Sequence, residues 1–467
     1  MNLRDYQQQG IGSIRDAYRA GYKSVLYQAP TGAGKTVMFA FITQNAAAKG
    51  NRVYILLHRD EIVSQTSNAL NQIGVPHGVI SAKDAGNLLE PVQVCSVWTL
   101  AKRLSSVPAP NLLIADECHH LVASSWLDVI AAYPTAKLLG VTATPERLDG
   151  QGLGKVFQHL IKGPSVSSLI QQGFLAKPIY YAPPIIASTD GIKKTAGDYN
   201  RGQLSTALDK PTITGDALQH YRRICSGVPA IAFCCSIEHA EHVAASFREG
   251  GFSADTIDGT MTRQERRDRI AALGDGRLQV LTSCDLIGEG LDVPVVTAAI
   301  LLRPTHSLGL HLQQIGRVLR RAPNKANAII LDHVGNIHRH GLAEDEREWS
   351  LEGAKARKSL GDGERLEPIK QCEACFAVIP NSARECPQCA TPVEVRAREI
   401  EHRAGELVAI DTNEKATISK AQEQAFANDF AALVKLGRQR GYPAPHAWAN
   451  HILKARKNKQ LKEKQYA

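Results

Sequence analysis

Short apolar runs that end in Gly, Thr, Asp or Ser alternate along the chain with longer amphipathic segments. This pattern occurs twice, and each time it contains five apolar runs. The first set is 24–27, 52–57, 92–95, 112–115 and 138–141, and the second set is 230–234, 255–257, 279–281, 297–302 and 327–331. Runs this short, with helical patterns between them, are typical of buried parallel strands in βαβ units. The sequence therefore predicts two α/β lobes in tandem.

The segments between and after the two lobes have a different composition. Residues 180–208 are rich in Pro, Gly, Thr and Ser and have no clear period, and the strand pattern stops beyond about residue 344. We therefore predict six parts, which are a first lobe (1–165), a connecting or accessory segment (166–208), a second lobe (209–345), a helical linker (346–369), a four-cysteine module (370–391) and a helical basic tail (392–467).

Composition narrows the class of protein. The 467 residues are 43% hydrophobic and 22% charged, which is close to the average of globular chains. No stretch approaches the roughly 20 apolar residues that a membrane helix needs, and the first residues are polar, unlike a signal peptide. We therefore expect a cytoplasmic protein that has no membrane partner.

Positive charge is concentrated at the end of the chain. Of the net charge of +9, residues 431–467 contribute nine basic side chains against one acid. A terminal basic block often meets a polyanion such as nucleic acid, although a merely solvated helix is a competing explanation.

A phosphate-binding loop follows the first predicted strand and opens an apolar helix. It consists of Ala29, Pro30, Thr31, Gly32, Ala33, Gly34, Lys35 and Thr36. In such a loop the backbone N–H groups surround phosphate oxygens, the lysine contacts the β- and γ-phosphates, and the hydroxyl of Thr36 ligates Mg²⁺. Ala29 stands where the general pattern has glycine, and its small side chain is compatible with the turn. The sequence therefore predicts an ATP site with Mg²⁺.

Two further groups complete a site for phosphoryl transfer. Asp116 and Glu117 follow an apolar strand, where Asp116 can hold Mg²⁺ and Glu117 can activate the attacking water. Arg317 and Arg320 lie three residues apart in the second lobe and share one face if the segment is helical. Guanidinium groups stabilise the charge that builds on a transferring phosphoryl group. If these arginines act on a nucleotide held by the first lobe, the site is complete only when the lobes close.

These motifs, in this order over residues 1–340, resemble those of superfamily 2 helicases of the DEAD/DEAH type. The acidic tetrad here reads Asp116-Glu117-Cys118-His119, and Thr142-Ala143-Thr144 resembles the segment that couples hydrolysis to strand movement. The resemblance implies two RecA-like lobes with ATP between them and nucleic acid across another face. It further implies a purine contact for Gln7, nucleotide contacts for Gly290 and Asp292, and nucleic-acid contacts for Arg59, Thr99 and Thr282.

Four cysteines beyond the lobes form a separate pattern. Cys372 and Cys375 are separated from Cys386 and Cys389 by ten residues, which is the spacing of two knuckles that supply four thiolates to one metal ion. With all four positions taken by protein, we expect one structural zinc in a zinc ribbon-like module. An iron site is the alternative.

The zinc module followed by an amphipathic and basic tail resembles the C-terminal part of RadD-type bacterial DNA repair helicases and their phage relatives. Tyr442 and Trp448 in this tail suit either nucleic-acid stacking or the core of a helical hairpin. The resemblance implies an ATP-dependent DNA helicase or translocase in repair, recombination or replication. Its partners would be single-stranded or branched DNA and a single-strand-binding or repair protein. The alternatives are an RNA helicase, the motor subunit of a restriction system, and a zinc-containing DNA-binding or loading protein with a vestigial ATPase fold.

Overall fold

A computed structural model describes most of the chain. The described residues are 3–82, 84–118, 124–147, 150–182, 194–195, 198–199, 211–284, 293–353, 369–372, 374–375, 377–380, 382–393, 429–440 and 444–454. The chain divides into two compact units, Met1–Val395 and Arg396–Ala467, and each is described by itself.

The first unit begins with an eight-stranded sheet. Its strands are β1 Ser24–Gln28, β2 Val53–Leu57, β3 Gly78–Ser81, β4 Asp84–Ala85, β5 Val92–Ser96, β6 Leu112–Asp116, β7 Lys137–Thr142 and β8 His159–Lys162. Their order in the sheet is β4-β3-β5-β2-β6-β7-β1-β8, and only the β3–β4 pair is antiparallel. All five predicted strands of the first lobe are present.

Helices cover both faces of this sheet. They are α1 Asp5–Arg19, α2 Lys35–Ala47, α3 Asp60–Gln72, α4 Val97–Ala101, α5 Ser124–Ala132 and α6 Val166–Gln171. Successive strand residues point to opposite faces, so that Ile55 belongs to one hydrophobic cluster and its neighbours Tyr54 and Leu56 to another. Burial on both faces explains why these strands are apolar at every position instead of alternating.

A second, six-stranded parallel sheet lies in the same unit. Its strands are β9 Lys177–Tyr181, β12 Ala230–Phe233, β13 Ala254–Ile257, β14 Val280–Ser283, β15 Ala298–Leu301 and β16 Asn327–Asp332, and β10 Lys194–Thr195 and β11 Asp198–Tyr199 form a separate small pair. The order is β13-β14-β12-β15-β16-β9. Its helices are α7 Pro211–Ile224, α8 Ile237–Glu249, α9 Arg263–Gly274, α10 Leu308–Val318 and α11 Asn336–His340. The prediction of two tandem α/β lobes is confirmed.

Strand β9 falls inside the segment that the sequence predicts as a connection. It pairs in parallel with β16, with Lys177 opposite Asn327, and forms the edge of the second sheet. Pro178 cannot donate to a ladder, which suits an edge strand and hides the strand pattern in the sequence. The second lobe therefore begins before residue 209.

The segment after the second lobe returns to the first lobe. Residues 346–353 contain no helix, which corrects the predicted helical linker over this part, and residues 354–368 lie outside the described range. Gly154 N donates to the carbonyl of Leu351 at 2.8 Å, and Lys162 forms an ion pair with Glu348 at 2.7 Å. The side chain of Leu351 packs on the core of the first lobe.

The first unit ends in the four-cysteine module. This module contains the antiparallel strands β17 Ile369–Gln371 and β18 Val378–Pro380. Tyr181 at the end of β9 forms a bridge with Ala377, so the module lies against the edge of the second sheet.

The second unit contains a helical hairpin. Helix α12, Phe430–Gln439, begins at Asp429, whose carboxylate accepts the N–H of Ala432 at 2.7 Å, and a second helical stretch covers 445–454. Trp448 packs against a small core that contains Leu433, Val434 and Ala449. Trp448 therefore contributes to the core of the hairpin, and Tyr442 lies outside the described residues. None of the helices that the structure describes combines the length and apolarity needed to span a bilayer.

Candidate active site

The phosphate-binding loop connects β1 to α2. Gly32 and Gly34 have φ values of 88° and 75°, a left-handed conformation that favours glycine. Lys35 is the first residue of α2 and is buried, and its Nζ donates to the carbonyls of Ala29 at 3.2 Å and Pro30 at 3.5 Å. The loop thus holds its own lysine against two carbonyl oxygens. Phosphate oxygens, which carry more charge, can replace these acceptors.

Helix α1 also contacts the phosphate-binding loop, through hydrogen bonds to its carbonyl groups. Gln7 Nε2 donates to the carbonyls of Ala33 at 3.3 Å and Gly34 at 3.5 Å, and its Oε1 accepts the N–H of Arg4 at 3.0 Å. Tyr6 also donates to the carbonyl of Ala33, at 2.9 Å, a contact that the sequence pattern does not predict. Gln7 therefore lies beside the phosphate loop, and its expected contact with a purine stays a prediction.

The acidic pair stands at the carboxyl end of β6, which is separated from β1 only by β7. Burial raises the pKa of the Asp116 carboxyl to about 6, and the adjacent Glu117 carboxylate adds to the rise while Lys35 opposes it. The backbone N–H of Glu117 donates to Asp116 Oδ1 at 2.9 Å. Glu117 adopts a φ of 47°, a strained conformation for a residue with a side chain, and strain of this kind is common at functional sites.

The segment after β7 is held next to the same edge. Thr142 Oγ1 donates to the carbonyl of Thr144 at 2.9 Å, and Gln28 at the end of β1 donates to the carbonyl of Ala143 at 3.0 Å. Both threonines are buried. Thr144 also faces the second lobe, because a Cβ added to Gly309 of α10 would lie 3.0 Å from Thr144 Oγ1.

Helix α10 brings the two arginines to the phosphate loop. A Cβ added to Gly316 would lie only 2.5 Å from the Cβ of Thr31, so α10 and the loop are in direct contact. Arg320 lies two residues beyond the end of this helix, so it does not share a helical face with Arg317. It forms a bridge with Leu175, and a Cβ added to Gly32 would lie 3.6 Å from Arg320 Cγ. Arg317 is buried on the same helix. The structure therefore places the arginine helix of the second lobe on the phosphate loop of the first.

Two candidate nucleic-acid contacts lie elsewhere on the first lobe. Arg59 precedes α3 and Thr99 lies within α4, and both are half-buried. In the parallel pair of β2 and β5, Leu57 is opposite Ser96, so both segments emerge at the same carboxyl edge of the sheet. The strand order separates them from the phosphate loop.

Other predicted residues are not part of this arrangement. The hydroxyl of Thr282 is fully buried inside the second lobe, 2.8 Å from both the carbonyl of Ala240 and the hydroxyl of Thr256. A phosphate could not reach it without displacing these contacts. Gly290 and Asp292 lie in the range 285–292, outside the described residues.

Ion pairs join the lobes beside the carboxyl edge. Arg263 of α9 pairs with Asp60 of α3, and Arg266 pairs with Glu61 at 2.5 Å. The four side chains are partly exposed, so each pair contributes at most about 1 kcal/mol. Local sequence patterns do not reveal these contacts, because they join residues about 200 positions apart.

The four cysteines lie together. Their Sγ atoms are within 4.8 Å of one another, with Cys372 and Cys389 separated by 3.7 Å and Cys375 and Cys386 by 3.6 Å. Four thiolates at about 2.3 Å from one tetrahedral zinc ion would be about 3.8 Å apart. The sulfur positions therefore fit a tetrahedral metal site.

Comparisons with known proteins agree with this geometry. Residues 1–147 match the family model of the type III restriction enzyme res subunit, and residues 216–322 match the helicase conserved C-terminal domain. A 51.5 kDa protein of Lactococcus phage (isolate 7-9) is 34% identical over 406 residues, which are 86% of each chain. IRC3 of Saccharomyces cerevisiae, assigned as an ATP-dependent helicase, is 28% identical over 354 residues, and the match covers 71% of this chain and 51% of IRC3.

A solved structure shares the fold. A fragment assigned as an HsdR subunit of a type I restriction enzyme from Vibrio vulnificus has a TM-score of 0.58 and 21% identity, over 73% of this chain and 67% of the fragment. The chain belongs to the superfamily 2 ATP-dependent helicases of the DEAD/DEAH type. It is an ATP-hydrolysing nucleic-acid motor that uses ATP and Mg²⁺. The narrower resemblance to RadD-type helicases stays a prediction.

Proposed function

We propose that the chain is a translocase on single-stranded DNA that hydrolyses ATP between its two lobes. The contact of Gly316 with Thr31 is the observation that carries the proposal, because it brings the arginine helix of one lobe to the phosphate loop of the other. A site divided in this way is complete only when the lobes are closed. Because DNA binding and hydrolysis then depend on the same closure, hydrolysis and movement on DNA can be coupled.

The nucleotide chemistry is divided among groups with distinct roles. On ATP binding, Lys35 would exchange its hydrogen bonds to the loop carbonyls for contacts with the β- and γ-phosphates. Thr36 and Asp116 would hold Mg²⁺, which neutralises charge on the phosphates when bound. Glu117 would orient and deprotonate the attacking water, and Arg320, with Arg317 beside it, would stabilise the charge on the transferring group.

The carboxyl edge beside Arg59 and Thr99 is the proposed path of the DNA strand. Both residues lie on the lobe that holds the phosphate loop, but they follow β2 and β5, which other strands separate from β1. A DNA strand could therefore bind there without blocking ATP. Matches named for restriction enzymes favour DNA over RNA. Thr282 is not included, because its hydroxyl is buried and already hydrogen-bonded.

The test is ATP hydrolysis with single-stranded DNA, duplex DNA and RNA of equal length measured side by side. We expect the greatest stimulation by single-stranded DNA, and Glu117→Gln should bind ATP yet lose turnover with every nucleic acid. An equal rate with and without nucleic acid, at several salt concentrations, would contradict the proposal. Greatest stimulation by RNA would replace the substrate and leave the motor intact.

A restriction-system motor is the second candidate, and the family match over residues 1–147 favours it. Such a motor would act on duplex DNA. Greatest stimulation by long duplexes without ends would therefore select this candidate over a single-strand translocase.

We also propose that the four cysteines hold one structural zinc ion. The sulfur separations of 3.6 and 3.7 Å support this, and among the described residues of the module Ile379 is the only large apolar side chain that is buried. Zinc binding can supply the missing folding energy, about 10–16 kcal/mol in small peptides. Metal analysis should find one zinc per chain, and Cys386→Ser should abolish it while both lobes stay folded. Iron, or four freely reactive thiols in the folded protein, would refute the assignment.

A further inference from the structure

Trp98 is a large apolar side chain that the fold leaves exposed. It exposes 52% of its surface on the short helix α4, whereas Trp126 on the neighbouring α5 is 1% exposed and belongs to the core. Single exposed apolar residues are common, so the exposure alone assigns no role. The position of Trp98 carries the inference.

Trp98 stands at the carboxyl edge of the first sheet. Because Leu57 on β2 is opposite Ser96 on β5, Arg59 and Trp98 each lie two residues beyond the same paired position. Lys102 follows Trp98 by four residues at the end of α4, so both exposed side chains lie on one side of the helix. An aromatic ring and two cations therefore lie at the same edge of the sheet.

This combination suits one chemical class of ligand. A nucleobase has a flat face that stacks on an aromatic ring, and the phosphates beside it attract lysine and arginine. The base must be unpaired, because a base inside a duplex is already stacked between its neighbours. Stacking also tolerates any sequence, as a motor that moves along a strand requires.

We propose that Trp98 is a base-stacking platform for single-stranded nucleic acid, with Lys102 contacting an adjacent phosphate. The proposal rests on the function proposed above and adds a contact to bases to the expected contacts with the backbone. A protein partner that covers Trp98 is the competing occupant, and the same experiment distinguishes the two.

The experiment measures the affinity of Trp98→Ala and Trp98→Phe for an oligothymidylate and for an abasic oligonucleotide with the same number of phosphates. Loss of a stacked base is expected to weaken oligothymidylate binding by about 5- to 140-fold in Trp98→Ala. Trp98→Phe should keep most of the affinity. Both variants should bind the abasic strand as the unaltered protein does, and the dependence on salt should not change, because the ring carries no charge.

Tyr22 provides a matched control. It is also an exposed aromatic residue, but it precedes β1 at the opposite edge of the sheet, where it stacks on His159 at 4.6 Å. Tyr22→Ala should leave DNA affinity unchanged, and the circular dichroism and DNA-free ATPase rate of the Trp98 variants should match the unaltered protein.

Three outcomes would overturn the stacking proposal. They are unchanged oligothymidylate affinity in Trp98→Ala, as expected if a protein covers this residue, an equal loss on the abasic strand, and an equal loss in Tyr22→Ala. Failure of the unaltered protein to bind any single strand would instead refute the proposed function, so the two failures are distinguishable.

Discussion

Replacing Gly316 with alanine tests the contact between the lobes. The added Cβ would lie 2.5 Å from the Cβ of Thr31, whereas non-bonded carbon atoms are usually about 3.5–4.0 Å apart. The lobes would have to separate by about 1 Å at this point. Overpacking of this kind costs about 1–3 kcal/mol, which would disfavour the closed cleft about 5- to 140-fold.

The same substitution should not harm the second lobe itself. Gly316 lies within α10, and alanine in a helix interior is more favourable than glycine by about 0.8–1.0 kcal/mol. Gly316→Ala should therefore lower the DNA-stimulated ATPase rate while the thermal unfolding temperature stays equal or rises. An ordinary destabilising substitution would lower both.

Gly12→Ala is the matched control, because Gly12 also lies in a helix and a Cβ there would meet no atom within 4 Å. It should stabilise the protein without changing its rate. A normal ATPase rate in Gly316→Ala would show that this contact does not limit closure of the cleft. A lower unfolding temperature together with a lower rate would instead indicate ordinary destabilisation of the second lobe.

Three further predictions concern the nucleotide, pH and the tail. Lys35→Ala should weaken ATP binding in an equilibrium titration, whereas Glu117→Gln should leave binding intact, and equal binding defects would contradict the assigned roles. Burial lowers the pKa of His333 to about 3 and that of His340 to about 4, so the unfolded chain binds more protons below about pH 6.5. The free energy of unfolding in urea should therefore decrease as the pH is lowered from 6.5, by up to about 1.4 kcal/mol per pH unit for each histidine, until the pH reaches about 4 for His340 and about 3 for His333. Above pH 6.5 it should be independent of these groups. Removing the residues after Leu453 should flatten the slope of log DNA affinity against log salt concentration by roughly 2–4 units. An unchanged slope would support the competing explanation that these basic side chains are merely solvated.

The local pattern of apolar residues was sufficient to predict most strands of the two lobes. The ten apolar runs correspond to ten strands, because strands buried on both faces, such as β2 and β15, must be apolar at each position. Strand β9 escaped prediction because Pro178 interrupts its pattern and its partner β16 lies about 150 residues later. A short stretch of sequence does not reveal a pairing partner that lies so far along the chain.

The candidate site was likewise only partly predictable from the sequence. The loop around Lys35 and the acidic pair follow strands directly, so sequence alone could locate them. The approach of α10 to the phosphate loop could not be found in this way, because nothing local distinguishes Gly316 from a helix glycine without a neighbour. Thr282 shows the converse, since a matching motif led to an expected phosphate contact for a hydroxyl that the fold buries.

In the proposed mechanism, Arg320 of the second lobe completes the ATPase site of the first. The most direct test is single-turnover ATP hydrolysis with saturating single-stranded DNA, comparing Arg320→Ala with Arg321→Ala, which removes the adjacent, exposed arginine. We expect normal ATP binding in both variants and a loss of about 10³- to 10⁵-fold in the hydrolysis rate of Arg320→Ala alone. Equal rates in the two variants would contradict it.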